Sequence, residues 1–142
     1  MDNRIIVSVP HTGTRFLAER LGIKDRVHTV FPWENILKKV EGKKIIAPLR
    51  RPRDAWKSKI RRMNPELLAE NTVGWFNSWY MLHALSLVKE IDFIPVDLKQ
   101  DPRITDWTPV TGEGHLNNTE FLDVGINLRK LYDLPFVKRF YN

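Results

Sequence analysis

The chain alternates between short apolar runs and stretches in which apolar residues recur every three or four positions. Ile5 to Val9 is an apolar run rich in β-branched residues, which predicts a strand buried on both faces, as in a parallel sheet. Pro10, Thr12, Gly13 and Thr14 then supply a turn in which Gly13 can take a positive φ. Phe16, Leu17, Arg20 and Leu21 follow at helical spacing, with Gly22 as the C-cap. Val27 to Phe31 predicts a second strand ending before Pro32, and Ile36, Leu37 and Val40 put one apolar face on a helix from Trp33 to Val40, closed by Gly42. Ile45 to Leu49 predicts a third strand that runs into Arg50 and Arg51, with Pro52 opening the next helix.

Asn64 and Pro65 interrupt that helix, and a long helical stretch is predicted from about Glu66 to Glu90, with a break near Asn71 to Gly74. Within it Trp75, Trp79, Leu82 and Ser86 fall at i, i+4, i+7 and i+11, with Phe76, Tyr80 and His83 alongside. Such a row reads as a core-facing stripe in preference to a base-stacking or acceptor-binding surface. Asp92 to Leu98 predicts a further strand. Residues 101–117, with Pro102, Pro109, Gly112 and Gly114, read as an irregular loop long enough to serve as a lid. Asn118 is placed to cap a helix from Thr119 to about Tyr132, and Pro135 to Tyr141 forms a short amphipathic end piece. The strand-helix alternation predicts one α/β domain over residues 1–142, in three layers, with a mainly parallel sheet and helices on both faces.

Composition narrows the chemistry. The chain has 42% hydrophobic and 28% charged residues, as one globular domain requires, and a net charge of +6 with a pI near 9.7, which implies an anionic partner. That partner is a nucleotide or a nucleic acid. Lys57, Lys59, Arg61 and Arg62 on the helix after Pro52 read as a solvated basic face in preference to a nucleic-acid contact. The absence of cysteine rules out disulfides and thiolate metal sites and fits a cytoplasmic protein. No apolar run approaches the ~20 residues of a membrane span, and Met1 to Arg4 leads into a strand without a leader pattern. His11, His28, His83 and His115 show no ligand spacing such as HExxH, so no metal is expected, and without GxSxG or cysteine a covalent hydrolase is disfavoured.

Two strand-to-helix junctions carry the specific signals. The loop Pro10 to Thr14 gathers backbone N–H groups and a helix N-terminus at one point, which suits a phosphate or sulfate, although no Walker A sequence is present. At the second junction Arg50 lies at the carboxyl end of a strand and Ser58 two helical turns further on, so that both can hold one phosphate.

Together the junctions resemble those of the sulfotransferase family, whose donor is 3′-phosphoadenosine 5′-phosphosulfate. Pro10-His11-Thr12-Gly13-Thr14-Arg15-Phe16 is similar to the family's PKSGTTW, and Arg50-Arg51-Pro52-Arg53-Asp54-Ala55-Trp56-Lys57-Ser58 to its RNPKDxxxS; the resemblance covers residues 4 to 98. It implies a P-loop NTPase-like sulfotransferase fold and transfer of a sulfuryl group to a hydroxyl or amine of a small-molecule or saccharide-like acceptor, with 3′-phosphoadenosine 5′-phosphate as product. It places the 5′-phosphosulfate on the N–H groups of Thr12, Gly13, Thr14 and Arg15 with the Thr14 hydroxyl as a further donor, Phe16 near the adenine, and Arg50 and Ser58 on the 3′-phosphate. His11 stands where the family has lysine or arginine, with Arg15 beside it to compensate. His28, 22 residues before Arg50 (50 − 28), corresponds to the histidine of the family's KTHxP segment and is the implied catalytic base, with His11 as a loop donor to the reacting group and Glu34 as a competing carboxylate base. Asp97-Leu98 match the end of a YEDL-like strand, and Thr111 to His115 occupies the place of a late glycine-bearing loop. The alternatives are a non-catalytic sulfotransferase-like nucleotide-binding protein and, with nucleic acid the less favoured partner, a basic nucleic-acid-binding module.

Overall fold

The computed structural model describes residues 2–30, 32–62, 65–96 and 124–141. In chain order the elements are β1 (Arg4–Ser8), α1 (Thr14–Leu21), β2 (Arg26–His28), α2 (Trp33–Val40), β3 (Lys44–Leu49), α3 (Pro52–Arg62), α4 (Pro65–Val88), β4 (Ile91–Pro95), α5 (Val124–Leu131) and α6 (Pro135–Tyr141). The four strands form one parallel sheet in the order β2-β1-β3-β4. The β-branched runs are buried because both faces are covered. Ile5, Val7 and Val9 with Ile45, Ala47 and Leu49 face a large core shared with α2 to α6, while Ile6 and Ile46 face Leu17, Ala18 and Ile23 on the α1 side. The architecture is therefore three-layer α/β.

Strand order singles out one end of the sheet. From β1 the chain crosses to β2 on one side, and from β3 it crosses to β4 on the other, so the direction of winding reverses between the neighbours β1 and β3. In such sheets the crevice at the carboxyl ends of the reversing strands is where ligands bind. Pro48 helps to open it. Lys44 donates its N–H to Asn3 on the β1 side (2.8 Å) and Leu49 accepts from Val96 on the β4 side (2.8 Å), so by alternation Pro48 faces β1 without an N–H to offer. The β1·β3 ladder accordingly runs only from Arg4↔Lys44 to Ile6↔Ile46.

The aromatic stripe of α4 faces the core as its spacing predicts. Trp56 of α3 stacks on Phe76 (5.9 Å, 17°), Trp75 meets Trp79 edge-on (5.7 Å, 82°), and Phe136 of α6 lies flat against Phe93 of β4 (4.8 Å). Trp75 and Trp79 are buried, which removes them as base-stacking surfaces.

Three expectations are corrected. β2 stops at His28 and does not continue to residue 30: Thr29 still donates its N–H to Ser8 (2.9 Å), but its side chain turns in to the Ser78 carbonyl (2.8 Å), and Val30 is exposed in the turn that follows. α4 runs unbroken through residues 71–74, because burial of Thr72, Trp75 and Phe76 outweighs the ~1 kcal/mol that Gly74 costs a helix. Lys59 does not belong to a solvated face: it is 2% exposed, on the same inward stripe of α3 as Pro52, Ala55 and Trp56. Phe31, Asn64, Asp97 and Leu98, the loop 101–117 with its Thr111 to His115 stretch, and the helix start at Asn118 and Thr119 lie outside the described residues.

Candidate functional site

The first junction is built from backbone conformation. His11 and Gly13 both adopt left-handed φ values of 70° and 91°, and α1 begins at Thr14 with its first internal bond from Leu17 N–H to the Gly13 carbonyl (2.9 Å). The N–H groups of Thr14, Arg15 and Phe16 therefore precede the first intrahelical bond. No side chain caps this end, and its first turn has no acidic residue. An uncapped helix start without a carboxylate is electrostatically suited to an anion.

Left-handed backbone at a histidine costs on the order of 1–3 kcal/mol, and such a residue persists only where its surroundings hold it. Three contacts hold the loop. The Thr12 hydroxyl donates to the Val9 carbonyl (2.6 Å), the indole N–H of Trp75 donates to the Pro10 carbonyl (2.9 Å), and Arg50 Nη1 donates to the His11 carbonyl (3.4 Å). Sequence reasoning missed Trp75 in this role. The tendency of a buried indole to pair its N–H was a signal, but not one that singles out Trp75, since the Nε1 atoms of Trp56 and Trp79 are buried without a partner among the described residues.

The second junction is built from side chains. Arg50 follows β3 directly, is 5% exposed, and reaches across to the first loop. Ser58 is buried on α3 two turns later. The first turn of α3 contains Asp54, and the Arg53 N–H donates to the Tyr132 hydroxyl (3.4 Å), so this helix start differs from that of α1. The Arg51 guanidinium lies 5.2 Å from the centroid of the Tyr141 ring. Burial pushes the Tyr141 hydroxyl up to about 12, against the opposing charge of Arg51. Tyr132 and Tyr141, which sequence reasoning left unassigned, thus brace the arginine-rich segment from the C-terminal helices.

Between the two lies a buried polar row. Ser8, the last residue of β1, is paired in register with His28, the last residue of β2. Ser8 Oγ is 2.6 Å from Thr14 Oγ1 and 3.3 Å from His28 Nδ1. Burial lowers the His28 pKa below its ordinary value; the Ser8 backbone opposes this and the charge of Arg26 adds to it. A neutral imidazole at the carboxyl end of a strand is fit to accept a proton.

Of the residues singled out from sequence, the fold brings Thr12, Gly13, Thr14, His28 and Arg50 to the carboxyl end of β1–β3, and the His11 carbonyl joins them. The Arg15 side chain is largely exposed and pairs with Glu19 along α1 (3.4 Å), an i,i+4 arrangement that the helix itself favours. Phe16 is half-buried on α1, and Glu34 is exposed in the first turn of α2. A cavity of about 540 Å³ sits at the opposite, amino end of β3 and β4, where Lys43, Lys44 and Lys89 alternate with Glu90 and Asp92. Among the described residues no group of three or more His, Cys, Asp or Glu is arranged to hold a metal ion, and no helix is long and apolar enough to cross a membrane. Compared with family models, curated proteins and solved structures, the chain shows no significant match to any of them.

Proposed function

We propose that the chain is a sulfotransferase that uses 3′-phosphoadenosine 5′-phosphosulfate as donor, on a P-loop-like sulfotransferase fold. The acceptor is a hydroxyl or amine of a small-molecule or saccharide-like compound. The observation that carries this reading is the convergence of two loops on the crevice between β1 and β3. They are the loops whose sequences resemble the family's two donor-binding segments, and Arg50 joins them through the His11 carbonyl.

On this reading the uncapped start of α1 holds the 5′ end of the donor and Arg50 with Ser58 the 3′-phosphate. The acceptor oxygen or nitrogen bonds to sulfur as the bond from sulfur to the bridging phosphate oxygen breaks. The acceptor's proton passes to His28, and the charge released on the phosphate is met by the loop N–H groups. His28 is suited to the role because its depressed pKa keeps it neutral at pH 7.

Calorimetric titration tests the donor site. Arg50→Ala should weaken adenosine 3′,5′-bisphosphate by about 1.5–3 kcal/mol, the range for a hydrogen bond to a charged group, and adenosine 5′-monophosphate by much less, through the lost support of the His11 carbonyl alone. Equal losses for both nucleotides would refute the assignment of Arg50 to the 3′-phosphate. For the chemical step, mass spectrometry against an acceptor panel should show turnover in the native chain. His28→Ala should reduce it by about 10²–10⁴-fold with donor affinity retained, and full turnover in that variant would move the base elsewhere.

A further inference from the structure

The polar row at the carboxyl end of β1 has a direction that hydrogen counting fixes. Ser8 and Thr14 carry one hydroxyl proton each, and the 2.6 Å contact between Ser8 Oγ and Thr14 Oγ1 uses one of the two. The 3.3 Å contact from Ser8 Oγ to His28 Nδ1 then has two forms in which the Ser8 proton stays within the row. In one, Thr14 donates to Ser8 and Ser8 donates to a bare Nδ1, which leaves the histidine proton on Nε2. In the other, His28 Nδ1–H donates to Ser8, Ser8 donates to Thr14, and the Thr14 proton is free to point out of the row.

An anion at the start of α1 selects the second form, because an anion only accepts and Thr14 is the first residue of that helix. The row is enclosed: Ser8 is 0% exposed and Thr14 9%, so water does not compete freely for these hydroxyls.

We propose that Ser8 is a positioning residue whose hydroxyl transmits the presence of an anion at Thr14 to His28, fixing the imidazole as the Nδ1–H tautomer and leaving Nε2 as the proton acceptor. The anion at Thr14 and the catalytic consequence rest on the function proposed above; the contact of Ser8 with His28 is a property of the folded chain. In that reaction the effect of the relay is timing, since His28 takes the form of a base when the loop is filled.

The test is nitrogen-15 NMR of the imidazoles at pH 7.5, with His28 assigned from the spectrum of His28→Asn and sodium sulfate as the anion. Without sulfate, where Ser8 donates to a bare Nδ1, Ser8→Ala should raise the Nδ1–H to Nε2–H ratio of His28 by about fivefold, the size expected for one hydrogen bond, and Ser8→Thr, which keeps the hydroxyl, should restore it. With sulfate, the ratio should rise in the native chain and in Ser8→Thr but not in Ser8→Ala. Thr14→Val cuts the row from its other end and should also block the rise, so the outcome does not depend on one variant. An unchanged ratio in ligand-free Ser8→Ala, or a sulfate response in that variant equal to the native one, overturns the relay. Silence of the Thr14 and Arg15 amide signals towards sulfate would instead refute the anion loop, while the ligand-free comparison still decides the role of Ser8.

Discussion

The two junctions at the β1/β3 crevice are placed alike and made differently. At β1–α1 the capacity proposed for an anion resides in the main chain: two left-handed residues turn the loop, and the first helix N–H groups have no side-chain cap. At β3–α3 it resides in a guanidinium, since the α3 start already meets Asp54 and the Tyr132 hydroxyl while Arg50 is buried beside it. Main-chain sites depend on conformation and tolerate changes of side-chain chemistry, whereas guanidinium sites depend on the charge and its fork geometry. The first loop also leans on the second through Arg50 and on α4 through Trp75. The left-handed His11 is therefore held by residues far from it in sequence.

The largest expected effect falls on the main-chain junction. Gly13→Val places a β-branched residue at φ 91°, which L residues of that shape adopt only at high cost. Binding of adenosine 3′,5′-bisphosphate should fall below detection in calorimetry. The circular dichroism spectrum should remain that of a folded α/β protein, because Gly13 precedes α1 and contributes no side chain to the core. Gly22→Val is the control: it too sits at a left-handed φ (68°), with open space around it, and should lose stability but not ligand. Native affinity in a folded Gly13→Val would mean that the loop conformation is not what binds.

How much of this was legible from residues alone follows the same division. The β-branched runs and Gly-Pro punctuation predicted every described strand and helix, with errors only where tertiary packing decided the matter. Gly74 lies inside a helix because its neighbours are buried, and β2 ends where the Thr29 side chain finds the Ser78 carbonyl. The loop positions Thr12, Gly13 and Thr14 and the strand-end Arg50 were visible because turn chemistry is local. What was not visible is long-range: Trp75 donating to Pro10 across 65 positions, Tyr132 meeting Arg53 across 79, and Lys59, whose charge suggested solvent while its helical position faced the core. Periodicity does place Lys59 on the stripe of Ala55 and Trp56, which the usual preference of lysine for solvent masks.

That misplaced charge yields the next effect in size. Burial lowers the Lys59 pKa from 10.5 to about 8. The folded-state pKa lies below the unfolded one, so at pH 7 both states are protonated and the fold bears the whole cost of a buried ammonium. As pH rises through 8 the folded state releases its proton first, and stability climbs until the unfolded pKa is reached. The full span corresponds to about 3 kcal/mol at 1.36 kcal/mol per pH unit. Urea melts at pH 7.5 and pH 10 should show part of this gain in the native chain. Lys59→Met, which fills the same space without charge, should be more stable at pH 7.5 and lose the climb. A slope unchanged by that substitution would show that Lys59 is solvated in solution. The charge of Lys59 lowers the stability of the helix that presents Ser58, whereas the charge of Arg50 is the one proposed to hold a phosphate, so the two cations of the second junction act in opposite senses.

The smallest effect tests the brace between the junctions and the core. Trp75→Phe keeps a buried aromatic ring against Trp56, Phe76 and Trp79 but deletes the N–H that reaches the Pro10 carbonyl at 2.9 Å. Global stability should fall by about 1–2 kcal/mol, for one lost hydrogen bond and the smaller ring left at a buried site, because Pro10 is only partly buried and water can replace the lost donor. The local consequence is more specific. Without that anchor the left-handed turn at His11 rests on Arg50 and Thr12 alone, so amide exchange at Thr12, Gly13 and Thr14 should accelerate beyond the global change while exchange in β3 follows it. Loss of adenosine 3′,5′-bisphosphate affinity should be of the same order as the loss in stability, and adenosine 5′-monophosphate should lose equally, because the strand-end loop and not the 3′-phosphate contact has been loosened. That pattern is the reverse of the one expected for Arg50→Ala. If Trp75→Phe instead discriminated between the two nucleotides, Trp75 would belong to the second junction, and the division between a main-chain site and a side-chain site would fail.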